Sequence, residues 1–279
     1  MDNRPIGFFD SGVGGLTCIP SLQKLLPNER VIYYGDTART PYGSKAIDTI
    51  KKFSFQIADY LVSRDVKMLV IACNTISATC IEDLRKRYPE LPIVGVIEPM
   101  AERIIRDQRG RNEHVPIGVI GTKATIASGV YTELVKGQDA QTEMYSMACP
   151  LFVPLIEEGI IENEIMDLTI KHYLDSFVSE HNIQKLVLGC THYPFIKKNL
   201  RRLYPQLELL NPSAEVIGEV KRILAKKDML ADEHMDREHQ CYASDLSENF
   251  QNMIDMVFED DQDVKVKFKK FSAEPLHEL

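Results

Sequence analysis

Tryptophan is absent from the 279 residues, no two cysteines stand in a Cys-x-x-Cys pair, and no apolar run approaches the roughly 20 residues of a membrane-spanning helix. The six cysteines (Cys18, Cys73, Cys80, Cys149, Cys190 and Cys241) are scattered, so neither a disulfide framework nor a zinc ribbon is suggested. Positive charge is also short. With 33 Lys and Arg against 41 Asp and Glu, the net charge is -8 and the pI near 5.5, which argues against a general nucleic-acid binder and an obligatory nucleic-acid partner. Only 15 glycines and 14 prolines occur, excluding collagen-like and low-complexity chains. The first apolar run, Ile6 to Phe9, is too short for a signal peptide. A cytoplasmic location with no membrane partner is expected.

What is present is alternation. Short β-branched or apolar runs (Ile6 to Phe9, Val31 to Tyr34, Met68 to Ala72, Ile93 to Val96, Ile117 to Ile120 and Lys185 to Leu188) are separated by amphipathic stretches such as Ala46 to Arg64 and Glu164 to His181. This predicts βαβ units around buried, parallel-type sheets, an α/β fold, and the length predicts two domains. Lys226 to Gln240 reads as a charged, strand-free interruption, with His234 and His239 as solvated loop. Cys241 to Ser244, Leu246 to Phe258 and Val264 to Phe268 then read as strand, helix and strand.

An internal repeat organises the chain. Met68 to Thr75 (MLVIACNT) parallels Lys185 to His192 (KLVLGCTH) at an offset of 117; Tyr88 to Leu91 parallels Tyr204 to Leu207 at 116; Pro99 to Glu102 parallels Pro212 to Glu215 at 113. A weaker match pairs Ile6 to Gly12 with Ile117 to Lys123 at 111. Four matches in one order predict two related, doubly wound α/β halves. Since open α/β sheets bind ligands beyond the carboxyl ends of their strands, halves facing each other would set Cys73 and Cys190 on opposite walls of one cleft.

A buried cysteine is often merely a small apolar residue. Equivalent placement in the repeat, each thiol after a small residue and before a polar pair (Asn74-Thr75 or Thr191-His192), favours chemistry instead. Thiols can serve as acid and as base near neutral pH, and a pair flanking one carbon suits a reaction whose substrate and product are mirror images. Asp10 and Ser11 end the first strand before a Gly-rich turn, where backbone N–H groups could approach an anion; Asp10 could assist a neighbouring thiol. Asp36 to Gly43 is a polar loop carrying Pro41, Tyr42 and Gly43. His192 could polarise Cys190, and Glu157 could support His192. A Cys-x-His metal site lacks a second cluster to complete it.

FDSGVGGLT, GDTARTPYG, ACNT, CPLFVPLIEEG and GCTHYP, in that order, resemble the glutamate racemase family, from Ile6 to about Gly218. The resemblance implies interconversion of L- and D-glutamate with no cofactor, neither pyridoxal phosphate nor metal, supplying D-glutamate for bacterial peptidoglycan. It implies catalytic thiols at Cys73 and Cys190, assisted by Asp10, Glu157 and His192. Substrate contacts carry over to Asp10, Ser11, Pro41, Tyr42, Gly43, Asn74, Thr75, Thr191 and His192. Two α/β domains are implied, residues 1–97 with 211–279 and residues 98–210, the site lying between them, and a homodimer. The alternatives are an aspartate or broad-specificity two-cysteine racemase, a phosphohydrolase using Asp10, which lacks a second acid two residues on, and a non-catalytic amino-acid-binding module.

Overall fold

The computed structural model describes residues 1–109, 114–232, 239–245, 248–259 and 268–273. Its strands are β1 (Ile6–Asp10), β2 (Val31–Gly35), β3 (Met68–Ile71), β4 (Ile93–Gly95), β5 (Ile117–Gly121), β6 (Met144–Ala148), β7 (Lys185–Gly189), β8 (Glu208–Leu210), β9 (His239–Ala243) and β10 (Phe268–Ala273). They pair in parallel into two sheets, ordered β10-β9-β2-β1-β3-β4 and β6-β5-β7-β8. The four strands β2-β1-β3-β4 thus repeat the order of β6-β5-β7-β8. The sequence offsets match this equivalence, since they align β1 with β5 and β3 with β7.

The apolar runs are continuous because both faces of the first sheet are covered. Ile6 and Phe8 of β1, with Met68 and Val70 of β3, join one apolar cluster, while Phe9, Leu69 and Ile71 join another on the opposite face. Helix Ile47–Ser63 turns Ile50, Ile57, Ala58 and Leu61 onto the second cluster at helical spacing. The first cluster runs on to the second sheet through helices Ile97–Gln108 and Pro212–Lys226, which pack together. These two helices begin with the repeated Pro-x-Ala-Glu segments, and Arg103 Nη1 meets Glu215 Oε1 across them at 3.1 Å. At the amino-terminal end of the first sheet the buried Lys67 Nζ meets the buried Glu29 Oε2 at 2.6 Å and donates to the carbonyls of Asp2 and Met229, both at 2.7 Å.

Three expectations need correction. Strands β6 and β8 were not anticipated from the pattern: β6 (MYSMA) is a largely part-exposed edge strand and β8 is three residues long. The stretch read as strand-free closes with strand residues, for His239 and Gln240 open β9. His239 is no solvated loop residue either. It is buried, its Nδ1 accepts from Val31 N at 3.2 Å, and burial lowers its pKa to about 4. His234 lies outside the described residues. So does most of the expected strand Val264 to Phe268, where β10 begins at Phe268. Among the described residues no helix is long and apolar enough to cross a membrane.

Candidate active site

In both sheets the chain leaves the first strand toward one side and returns on the other, opening a crevice at the carboxyl ends of β1 and β3, and of β5 and β7. Cys73 follows β3 and precedes helix Asn74–Arg87; Cys190 directly follows β7. Both thiols line one narrow cavity with Ser11, Asn74, Thr75, Thr191 and His192. The loop after β2 adds Thr40, Pro41, Tyr42 and Gly43, and the opposite half adds Thr122 and Val153. The free space holds about one water molecule.

Asp10 and Glu157 do not reach this surface; they stand behind it. Asp10 is fully buried, and its Oδ2 accepts from Gly15 N at 2.8 Å and from Thr191 Oγ1 at 3.1 Å. The anion held by the Gly-rich turn is therefore the protein's own carboxylate. Asp10 Oδ1 is buried with no hydrogen-bond partner among the described residues, an arrangement expected where a further donor is to be received. Glu157 Oε1 lies 3.1 Å from His192 Nε2 and accepts from Thr40 Oγ1 at 3.1 Å.

The surroundings of the thiols differ. Cys73 donates to Ser11 Oγ at 3.5 Å. Burial, and next the negative charge of Asp10, push its pKa upward against the hydrogen bonds of Ser11 and the Ile76 amide. Cys190 Sγ lies 3.9 Å from His192 Nδ1. Burial alone would lower the His192 pKa; the hydrogen bonds and charges of Cys190 and Glu157 outweigh it and raise the value to about 10. His192, 3.9 Å from one sulfur, is thus shifted toward its protonated form by Cys190 and Glu157, while Asp10 places negative charge near the other.

The walls touch in a reciprocal way. Thr191, after β7, donates to Asp10 of β1, and Thr75, after β3, shares a 2.9 Å hydrogen bond with Thr122, after β5. Thr125 Oγ1 lies 3.3 Å from Thr75, and Tyr131 OH donates to Asn74 Oδ1 at 2.6 Å, occupying the acceptor end of that amide. Close backbone approach requires glycine at two places: a Cβ on Gly43 would lie 2.3 Å from Thr122 Cβ, and one on Gly14 would lie 2.6 Å from the Thr191 carbonyl carbon.

Thr40, Thr122, Val153, Thr125 and Tyr131 were not anticipated. A signal existed for Thr122, which stands 111 residues after Ser11 in the weakest of the repeat matches. Tyr131 carried none, since it sits in a helix of the second half with no matched segment. Among the described residues no three His, Cys, Asp or Glu side chains converge as a metal site.

Residues 16–219 match the Asp/Glu/Hydantoin racemase family profile. The chain belongs to this family. Within it the chain is similar to the glutamate racemase of Sulfurihydrogenibium sp. (strain YO3AOP1), 45% identical over 220 residues that cover 78% of this chain and 82% of that one. The glutamate racemase of Aquifex aeolicus is 39% identical over 266 residues, 95% of this chain and 98% of its own. The crystal structure of the Francisella tularensis glutamate racemase, in complex with D-glutamate, matches 99% of each chain with a TM-score of 0.89 and 36% identity. The racemase resemblance found in the motifs thus extends over the whole fold.

Proposed function

We propose that this racemase interconverts L- and D-glutamate by proton transfer between two thiols, Cys190 and Cys73, on opposite faces of the α-carbon. The observation that carries the reading is their placement: equivalent strand ends of two sheets with one topology, meeting in one cavity. For L-glutamate, the Cys190 thiolate takes the α-proton as the C–H electron pair moves onto the α-carbon and its carboxylate. The Cys73 thiol delivers a proton to the other face and is left as thiolate, the form that starts the reverse reaction. The His192 cation supplies the counter-charge that a Cys190 thiolate needs, and the raised Cys73 pKa keeps that group a proton donor. Without a cofactor as electron sink, stabilisation of the carbanionic transition state falls to fixed donors in a closed, water-poor site.

Ser11, Asn74, Thr75 and Thr191, with the loop Pro41 to Gly43, are assigned to the substrate's polar groups, while Asp10, behind the cavity lining, is assigned to the support of Cys73. Glutamate needs far more room than one water, so the walls part to admit it. Residues 1–97 with 211–279, and residues 98–210, are assigned as the two domains on either side. A homodimer, a cytoplasmic location and a role in supplying peptidoglycan precursors are carried over from the family resemblance.

A circular-dichroism assay tests the assignment. The signal of L-glutamate should decay to zero, unaffected by EDTA, and L-aspartate should react far more slowly, because its shorter side chain leaves the polar partners of the distal carboxylate unpaired. A constant L-glutamate signal would refute the function, and equal kcat/KM for both amino acids would make the protein a broad-specificity racemase.

A further inference from the structure

The stretch matched by the family profile ends at residue 219, although similar glutamate racemases cover the chain beyond it; β9 lies in this later part, pairs with β2, and ends beside the loop that forms one wall of the cleft. Ser244, the residue after β9, grips the start of that loop three times. Its N donates to Gly35 O at 3.1 Å, its Oγ donates to Asp36 Oδ1 at 2.8 Å, and the same Oγ accepts from Ala38 N at 2.9 Å. Thr37 and Asp245 add two bonds: Thr37 Oγ1 donates to Asp245 O at 2.5 Å and accepts from Asp245 N at 2.9 Å.

Asp36 is fully buried. Its Oδ2 accepts from Arg39 Nε at 2.7 Å and from the Tyr42 hydroxyl. Arg39 is itself anchored on helix Ile47–Ser63, its guanidinium 4.0 Å over the Phe53 ring and its Nη1 donating to Gln56 Oε1 at 2.6 Å. Burial and the Asp36 charge push the Tyr42 pKa upward, so the phenol remains a donor. A buried carboxylate must keep its donors, and where Asp36 is held determines where Tyr42 sits. One residue on either side of Pro41-Tyr42 the same loop meets the opposite half, through Thr40 to Glu157 and through Gly43 against Thr122.

We propose that Ser244 is a positioning residue for the cleft: by fixing Asp36 it sets the Tyr42–Gly43 wall, so the end of β9 is a working part of the site. The proposal rests on the reading of that wall as substrate-contacting. Kinetics of the full chain with both enantiomers, together with melting curves, test it. S244A should raise KM about tenfold for L- and D-glutamate, leave kcat within about threefold and move Tm by only a few degrees. S244T keeps the hydroxyl and should return KM to within about twofold of wild type. A wild-type KM in S244A, or a raised KM that S244T does not restore, overturns the assignment. If S244A fails to fold, the near-isosteric S244C carries the same test, its weak S–H donor raising KM severalfold where an unchanged KM would overturn the proposal. Amide hydrogen exchange over residues 36–44 reads positioning without any activity: faster in S244A or S244C and restored in S244T is expected, and unchanged exchange overturns it. A wild-type chain inactive on glutamate would count against the proposed function, and the exchange result alone would then decide the role of Ser244.

Discussion

Cys73 and Cys190 stand out in the sequence because each follows a small residue at a strand end and precedes a hydrogen-bonding pair. The assisting groups are named there too, Asp10 for one thiol and His192 with Glu157 for the other; what the sequence does not give is their geometry, Glu157 Oε1 at 3.1 Å from His192 Nε2 and His192 Nδ1 at 3.9 Å from Cys190 Sγ. The charge on His192 is the sharpest consequence. Its folded pKa of about 10 lies above the ordinary 6.5, so the protonated form stabilises the fold. That contribution is fully present below about pH 6.5 and is lost as the pH rises through about 10. Replacing Glu157 by Gln removes one of the groups that raise the pKa, so His192 should titrate at distinctly lower pH in E157Q, as read by nitrogen-15 NMR of the imidazole. Racemisation should fall about tenfold or more. An E157Q titration identical to wild type would show that Glu157 does not support His192.

Between elements, the contacts that close the cleft join strand ends of one sheet to strand ends of the other. The sequence displays the strands that carry them where both faces are buried, as in β1, β3, β5 and β7, whose apolar runs are unbroken. It hides β6 and β8, because a part-exposed edge strand such as MYSMA and a three-residue strand leave no run to recognise. The loop after β2 reads by composition as a polar turn, and its place at a strand's carboxyl end marks it as a candidate substrate-contacting loop; how it is held as a wall depends on Asp36, Thr40 and Gly43 meeting partners far along the chain. Gly43 gives a direct test of that wall. Its missing Cβ would stand 2.3 Å from Thr122 Cβ, so G43A must push the loop back from the end of β5. A displacement of about 1 Å can cost on the order of 100-fold, and kcat/KM of G43A should fall by about that factor in steady-state assays. Wild-type kinetics in G43A would mean that the close approach has no part in turnover.

The molecule as a whole is a duplicated α/β unit whose two copies have diverged where the chemistry requires it. Strand order and thiol positions repeat, but Asp10 has Gly121 as its counterpart, and Thr75 has His192. The four sequence offsets made the duplication legible, together with the shared cleft it predicts; the unmatched residues Asp10 and His192 mark the walls as unequal, and the distances and burial that set their electrostatics had to be seen in three dimensions. If each thiol serves one face, removing one must break the symmetry between enantiomers. By the family resemblance Cys73 takes the proton from D-glutamate and Cys190 from L-glutamate. Loss of either thiol should nearly abolish racemisation in both directions, since inversion needs a base and an acid and the equilibrium constant stays at one. Exchange of the α-proton in D₂O, followed by NMR for each mutant with each enantiomer, separates the two faces, provided the surviving thiol trades its proton with solvent before recombination. C190S should retain more exchange on D-glutamate and C73S more on L-glutamate; the same preference in both mutants, or wild-type racemisation in either, would contradict the two-thiol mechanism.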